Sequence, residues 1–123
     1  MDAEFTLKNF SDYCCKMIDR YASHVKEGIL QISKDTKLTD LSFVDSLKVK
    51  KLVLDQCFNI VLKNLPKKVT SLSITNSKLF NIEGIQEMIQ LLELDLTGNR
   101  LVSLQPLSQI KGLKRVIIDG NFI

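Results

Sequence analysis

One pattern constrains this chain more than any other: an apolar frame that returns every 22 residues. Leu91, Leu94, Leu96, Asn99 and Leu101 recur, 22 residues on, as Leu113, Val116, Ile118, Asn121 and Ile123. One step upstream, Val69, Leu72, Ile74, Ser77 and Leu79 occupy the same frame, and a further step of 20 reaches Val49, Leu52, Leu54, Cys57 and Asn59. Such units cannot bury their apolar sides alone, so neighbours must stack and share one core.

Each unit has two rhythms. In "LLELDLTGNRL", Leu92, Leu94 and Leu96 alternate with Glu93 and Asp95, which is the period of a short strand. Asn99 marks a turn, and the spacing then changes to three: Leu79, Ile82, Ile85, Met88 and Leu91, then Leu101, Leu104, Leu107, Ile110 and Leu113. A threefold spacing fits a 3₁₀-like or extended path and neither an α-helix nor a strand. From Val69 to Ile110 all fourteen frame positions are Leu, Ile, Val or Met. At 45% hydrophobic residues, chance would fill a preset register about once in 10⁵. Each unit is therefore a strand, a turn and a return segment, and the strands line up in parallel.

The frame LxxLxLxxNxL with an LxxLxxLxxL return resembles the leucine-rich repeat. The variety is the 22-residue one, typified by the regulatory subunit of type 1 protein phosphatase. "LLELDLTGNRLVSLQPLSQIKG" matches at every framework position, and "VTSLSITNSKLFNIEGIQEMIQ" matches except for Ser77 in place of Asn. The unit from Val49 departs most, with Cys57 at the Asn position, a variant common in that family, and Asn59 at an apolar one. "ILQISKDTKLTDLSFVDSL" resembles a degenerate first coil, with Leu30 and Ile32 in its strand and Leu38, Leu41, Val44 and Leu47 in threefold spacing. The resemblance spans roughly three quarters of the chain. It implies an α/β solenoid, with short parallel strands on a concave face and 3₁₀ or extended return segments on a convex face. Residues 28–123 would form four to five coils, the last incomplete.

Residues 1–27 read differently. Leu7, Phe10, Cys14, Met17, Ile18, Tyr21 and Val25 follow helical spacing, predicting one amphipathic helix from about Glu4 to Glu27. Gly28 is placed to end it as the C′ residue. Its expected role is to cap the open edge of the first coil, as a solenoid requires. At the other end Val116, Ile118 and Ile123 would face an open edge. The expectation there is a fragment of a longer product, or failing that a self-associating edge.

Composition and motifs set the functional reading. No apolar run approaches the ~20 residues of a membrane span, and "MDAEFTLKNFSDY" has no secretory n-region or h-region. The adjacent Cys14 and Cys15 with the distant Cys57 suggest reduced thiols, so a cytoplasmic protein is expected, with the nucleus as the alternative. The net charge of +3 points to no nucleic-acid partner, and Lys48, Lys50, Lys51, Lys67 and Lys68 read as solvated flanks. His24 is the only histidine. Phosphate loop, metal box and nucleophile elbow are all missing from the sequence, so the expectation is no catalytic residue, no metal, no cofactor and no small-molecule substrate.

Asn99 and Asn121, with Ser77 and Cys57 as weaker members, are expected to form a structural ladder that satisfies backbone groups at the turns. The candidate binding surface is the set of outward strand residues: Lys51, Val53 and Asp55; Ser71, Ser73 and Thr75; Glu93, Asp95 and Thr97; Arg115, Ile117 and Asp119. In proteins with this repeat the concave face is where partners dock. The resemblance thus implies a non-enzymatic module that binds a protein partner there. The alternatives are the recognition or regulatory part of a larger enzyme complex, such as a phosphatase regulator or ligase adaptor, and, more weakly, RNA–protein assembly.

Overall fold

Five short strands carry the repeat: β1 (Ile29–Ser33), β2 (Lys51–Asp55), β3 (Ser71–Thr75), β4 (Glu93–Asp95) and β5 (Arg115–Ile117). The computed structural model describes residues 7–123. The strands form a single parallel sheet in chain order, β1-β2-β3-β4-β5. Ile29 pairs with Lys51, Lys51 with Ser71, Ser71 with Glu93 and Glu93 with Arg115. The register steps are therefore 22, 20, 22 and 22, and the last three are those of the sequence frame.

The pleat sends alternate side chains inward. Leu30, Ile32, Leu52, Leu54, Leu72, Ile74, Leu94 and Leu96 are buried in one continuous apolar core. Leu92 does not follow them. It precedes β4 and is 38% exposed, and its carbonyl accepts the amides of both Lys114 and Arg115 at the start of β5. The carbonyls of Gly28, Lys50 and Thr70 accept two amides from the next pass in the same way, so one bifurcated bond starts each of β2 to β5. Thr97 and Asp119 lie beyond the ends of β4 and β5, in the turns rather than in strands.

The threefold spacing becomes 3₁₀ helix at Ser42–Leu47, Ile85–Glu87 and Gln105–Gln109. Ile82, Ile85, Met88 and Leu91 are buried by this path, and Leu104, Leu107 and Leu113 pack against the same core. The segment between β2 and β3 has no 3₁₀ turn and reaches the core through Leu65 and Val69.

Among the described residues one α-helix, α1 (Leu7–Tyr21), precedes the sheet and packs against the 3₁₀ segment Ser42–Leu47. The expected helix from Glu4 to Glu27 is shorter at its C-terminal end, and its expected first residues lie outside the described ones. After Tyr21 the chain tightens into 3₁₀ at Ala22–His24, and Val25 is already extended. Gly28 does not cap the helix. Glu27 and Gly28, at φ 55° and 77°, are the central residues of a two-residue turn in which Lys26 and Ile29 exchange both backbone hydrogen bonds at 3.0 Å. Met17 and Tyr21 are buried, while Cys14, Ile18 and Val25 pack partly against the core. Tyr13 and Phe43, neither of them in the expected stripes, meet edge-to-face at 6.5 Å. The Tyr13 hydroxyl also donates to the Asp40 carbonyl at 2.7 Å and accepts from the Thr39 amide at 3.0 Å.

Candidate functional site

The outer face of the sheet holds a shallow groove of about 330 Å³. Parallel registration stacks the outward residues of successive strands into rows across it. One row runs Lys51, Ser71, Glu93, Arg115, and the next runs Val53, Ser73, Asp95, Ile117. All eight line the groove, whose floor also exposes parts of Leu72 and Leu94. The other four candidates, Asp55, Thr75, Thr97 and Asp119, do not line it.

Of the four, Asp55, Thr75 and Thr97 have side chains engaged in internal bonds at the strand-exit end. Asp55 Oδ1 accepts from Asn76 Nδ2 at 3.0 Å and from Thr75 Oγ1 at 2.8 Å. These bonds, Asn76 first, hold the Asp55 carboxyl below the usual carboxylate range. Thr97 donates its hydroxyl at 2.6 Å and its amide at 3.0 Å to Asp95 Oδ1. Asp95 is half-buried and lines the groove. Glu93 and Arg115 are exposed register partners, and among the described residues neither makes an ion pair. The groove thus presents an acidic centre, Glu93 and Asp95, between Lys51 and Arg115.

Behind the face, the turn residues bind one pass to the next. Asn99 is 3% exposed. Its Oδ1 accepts from the amides of Ser77 and Leu79 at 3.1 Å each, and its Nδ2 donates to the carbonyls of Ile74 at 2.7 Å and Leu96 at 2.9 Å. Asn121 repeats this with the Leu101 amide at 3.0 Å and the Leu96 and Ile118 carbonyls at 2.9 Å each. Ser77 Oγ accepts from the Cys57 amide at 3.1 Å, and Cys57 Sγ donates to the Ile32 carbonyl at 3.7 Å. Burial pushes the Cys57 thiol up. Every polar capacity of the Asn99 side chain points into backbone, and each bond of the Asn121 side chain goes to backbone as well, so both read as structural.

One rung escaped the sequence reading. Twenty-two residues before Cys57 lies Asp35, buried to 8% exposure and at the same turn position. Its Oδ2 accepts from the Tyr21 hydroxyl and from Arg20 Nη1 at 3.3 Å, while Oδ1 accepts from the Lys37 amide at 2.9 Å. Burial alone would raise its pKa, but the Tyr21, Lys37 and Arg20 contacts outweigh it and hold the carboxyl below its ordinary value. The 22-residue step was the available signal. It went unused because a carboxylate does not resemble Asn, Ser or Cys.

The remaining candidates are dispersed. Cys14, Cys15 and Cys57 are free thiols, and His24 lies exposed against the Tyr21 ring at 5.6 Å. The Lys67 and Lys68 amides donate to the Asp45 carboxylate at 2.7 and 3.0 Å, so that basic pair is held within a structural turn. Among the described residues, no group of three or more His, Cys, Asp or Glu side chains is placed to hold a metal. Among them, too, no helix is long and apolar enough to cross a membrane. A scan against protein-family models and a search of curated proteins found no match to this chain.

Proposed function

We propose that this chain is a leucine-rich repeat solenoid that binds a protein partner, without catalysis, through the outer face of its sheet. One observation carries the binding site. Eight outward side chains from four consecutive strands line one groove, and among the described residues its Lys51, Glu93 and Arg115 side chains make no hydrogen bond or ion pair within the fold. Supporting the solenoid are the register steps of 20 or 22 residues, the bifurcated bond at the start of β2 to β5 and the turn side chains that join successive passes. A groove this wide and shallow, crossed by rows of mixed charge, suits a protein surface better than a small ligand, which needs an enclosing apolar pocket.

Replacing Glu93, Asp95 and Arg115 together by Ala tests the reading. The expected variant keeps its circular-dichroism spectrum and cooperative melting but no longer retains the partner that the wild-type chain captures. Undiminished capture by the folded variant would rule out this face.

A further inference from the structure

We propose a second docking surface, on the strand-exit flank of the sheet, that takes an extended acidic peptide segment with aromatic or aliphatic anchors. It goes beyond the sheet-face reading and shares no lining residue with that groove. The repeat frame puts the residue after each rung into one row, Phe58, Lys78, Arg100 and Phe122, with Phe80 and Val102 in a second row beside it. The passes touch there. The Arg100 amide donates to the Leu79 carbonyl at 2.8 Å, the Phe122 amide to the Leu101 carbonyl at 2.9 Å, and Lys78 Nζ sits 4.9 Å from the Phe58 ring centre.

Scattered exposed apolar residues are ordinary on a protein surface, but rows of them are not. Phe80 is 73% exposed, Val102 and Phe122 68% each, and Phe58 43%, so the repeat has aligned large apolar groups that add little to its own core. Phe58, Lys78 and Phe80 share a recess of about 90 Å³, and Phe80 and Val102 line the adjoining depression of about 400 Å³. At ~4.8 Å per pass, the row from Phe58 to Phe122 spans about 14 Å, which four or five extended residues cover.

Charge selects the occupant. Lys78 and Arg100 stand between the phenyl rings, and among the described residues neither makes an ion pair. Glu83, the carboxylate in the larger depression, is bound by Gln86 Nε2 at 3.0 Å. Two cations without an ion pair among the described residues, one of them over the Phe58 ring, amid apolar anchors match carboxylates interspersed with Phe, Leu or Ile. They are too few to hold a nucleic-acid backbone, whose binding rests on neutralising many phosphates.

A twelve-residue random peptide library displayed on phage, selected on the full chain, tests this. Enriched peptides should combine Asp or Glu with Phe, Leu or Ile. Measured by fluorescence polarisation, their affinity should fall at least about tenfold in Lys78→Glu/Arg100→Glu and in Phe80→Ser. Both variants alter exposed side chains, and circular dichroism checks that they fold. The sheet-face triple variant should bind these peptides as the wild type does, so loss of one surface is read separately from loss of the other. No enrichment, enrichment of basic peptides, or binding lost only in the sheet-face variant would each overturn the proposal. So would an oligouridine probe that binds and is released by the Lys78→Glu/Arg100→Glu variant while no acidic peptide binds.

Discussion

The turn after β1 and the turn after β4 close at the same place in the repeat with opposite chemistry. Just before the rung each pass needs a left-handed residue, and Lys34, Gln56, Asn76, Gly98 and Gly120 supply it with φ between 52° and 77°. The three early passes spend a side-chain-bearing residue there, at a cost of about 1 kcal/mol each, and the two late ones use glycine. The rung itself changes from a carboxylate, a thiol and a hydroxyl to two amides. An amide satisfies donors and acceptors in successive passes at once. Asp35 can only accept, so it depends on Tyr21, Arg20 and the Lys37 amide to complete it. The early passes offset weaker rungs with longer pairing, since β1, β2 and β3 run five residues against three in β4 and β5. Late passes are held by their turns, early ones by their strands and by helix α1.

The largest effect should come where this difference vanishes, in the shared core. Leu94 is 2% exposed and packed between neighbouring passes. Leu94→Asp buries an unpaired carboxylate and should cost more than about 4 kcal/mol, abolishing the melting transition of the whole chain. A variant that loses only its last passes, with α1 to β3 still melting cooperatively, would mean that early and late halves fold independently.

Next in size are two glycines that appear alike in sequence. A Cβ on Gly84 would lie 2.0 Å from the Leu62 carbonyl oxygen, at φ 106°, so backbone must move. A Cβ on Gly98 would lie 2.1 Å from Asn76 Oδ1, the end of a side chain that can rotate away, at φ 77°. Gly84→Ala should cost about 3 kcal/mol and Gly98→Ala about 1–2 kcal/mol, measured by urea unfolding. Equal losses would show that the Asn76 side chain is fixed as firmly as backbone.

The rungs themselves compare directly. Asn99→Ala takes their side-chain partner from the Ser77 and Leu79 amides and the Ile74 carbonyl, while Leu96 keeps its bond from Asn121, and should cost about 2–4 kcal/mol; Cys57→Ala removes only the long thiol contacts to the Ile32 and Asp55 carbonyls and should cost about 1 kcal/mol. Similar melting shifts for the two would remove the distinction between turn-held and strand-held passes.

How much of this was legible follows from the same contrast. The late passes were readable because their apolar positions and asparagines keep one spacing, and that spacing fixes the pairing of β2 to β5. Eight of the twelve outward residues came together in one groove because alternation along a strand and registration between strands are both periodic. What was missed depends on contacts that carry no period. Thr97 and Asp119 fall in turns because β4 and β5 end after three residues. Helix α1 stops at Tyr21, where the Tyr21 hydroxyl turns to a residue fourteen positions away. Phe43, buried to 3%, sits off the threefold frame and is recognisable only once the helix aromatics lie over it.

The last effect probes the early end alone. Burial, then the hydrogen bond to Asp35 and its charge, push the Tyr21 hydroxyl up to about 12 from 10.0. A raised folded-state value means that this contact stabilises fully below about pH 10 and is lost as the pH rises through about 12. Asp35 is shifted the other way, so its contribution is present above the ordinary carboxylate value of about 3.9 and lost as the pH falls through its lower folded value. Tyr21→Phe keeps the ring on Phe43, where the two stack at 6.5 Å, and removes only the hydroxyl. It should cost about 1.5 kcal/mol, the low end for a bond to a charged group because Arg20 and the Lys37 amide remain on Asp35. The gap in melting temperature between wild type and Tyr21→Phe should stay level from about pH 5 to about pH 9 and close at both extremes. A gap that persists unchanged in acid and alkali would show that the Tyr21 ring, and not its bond to the Asp35 rung, fastens the helix to the first pass.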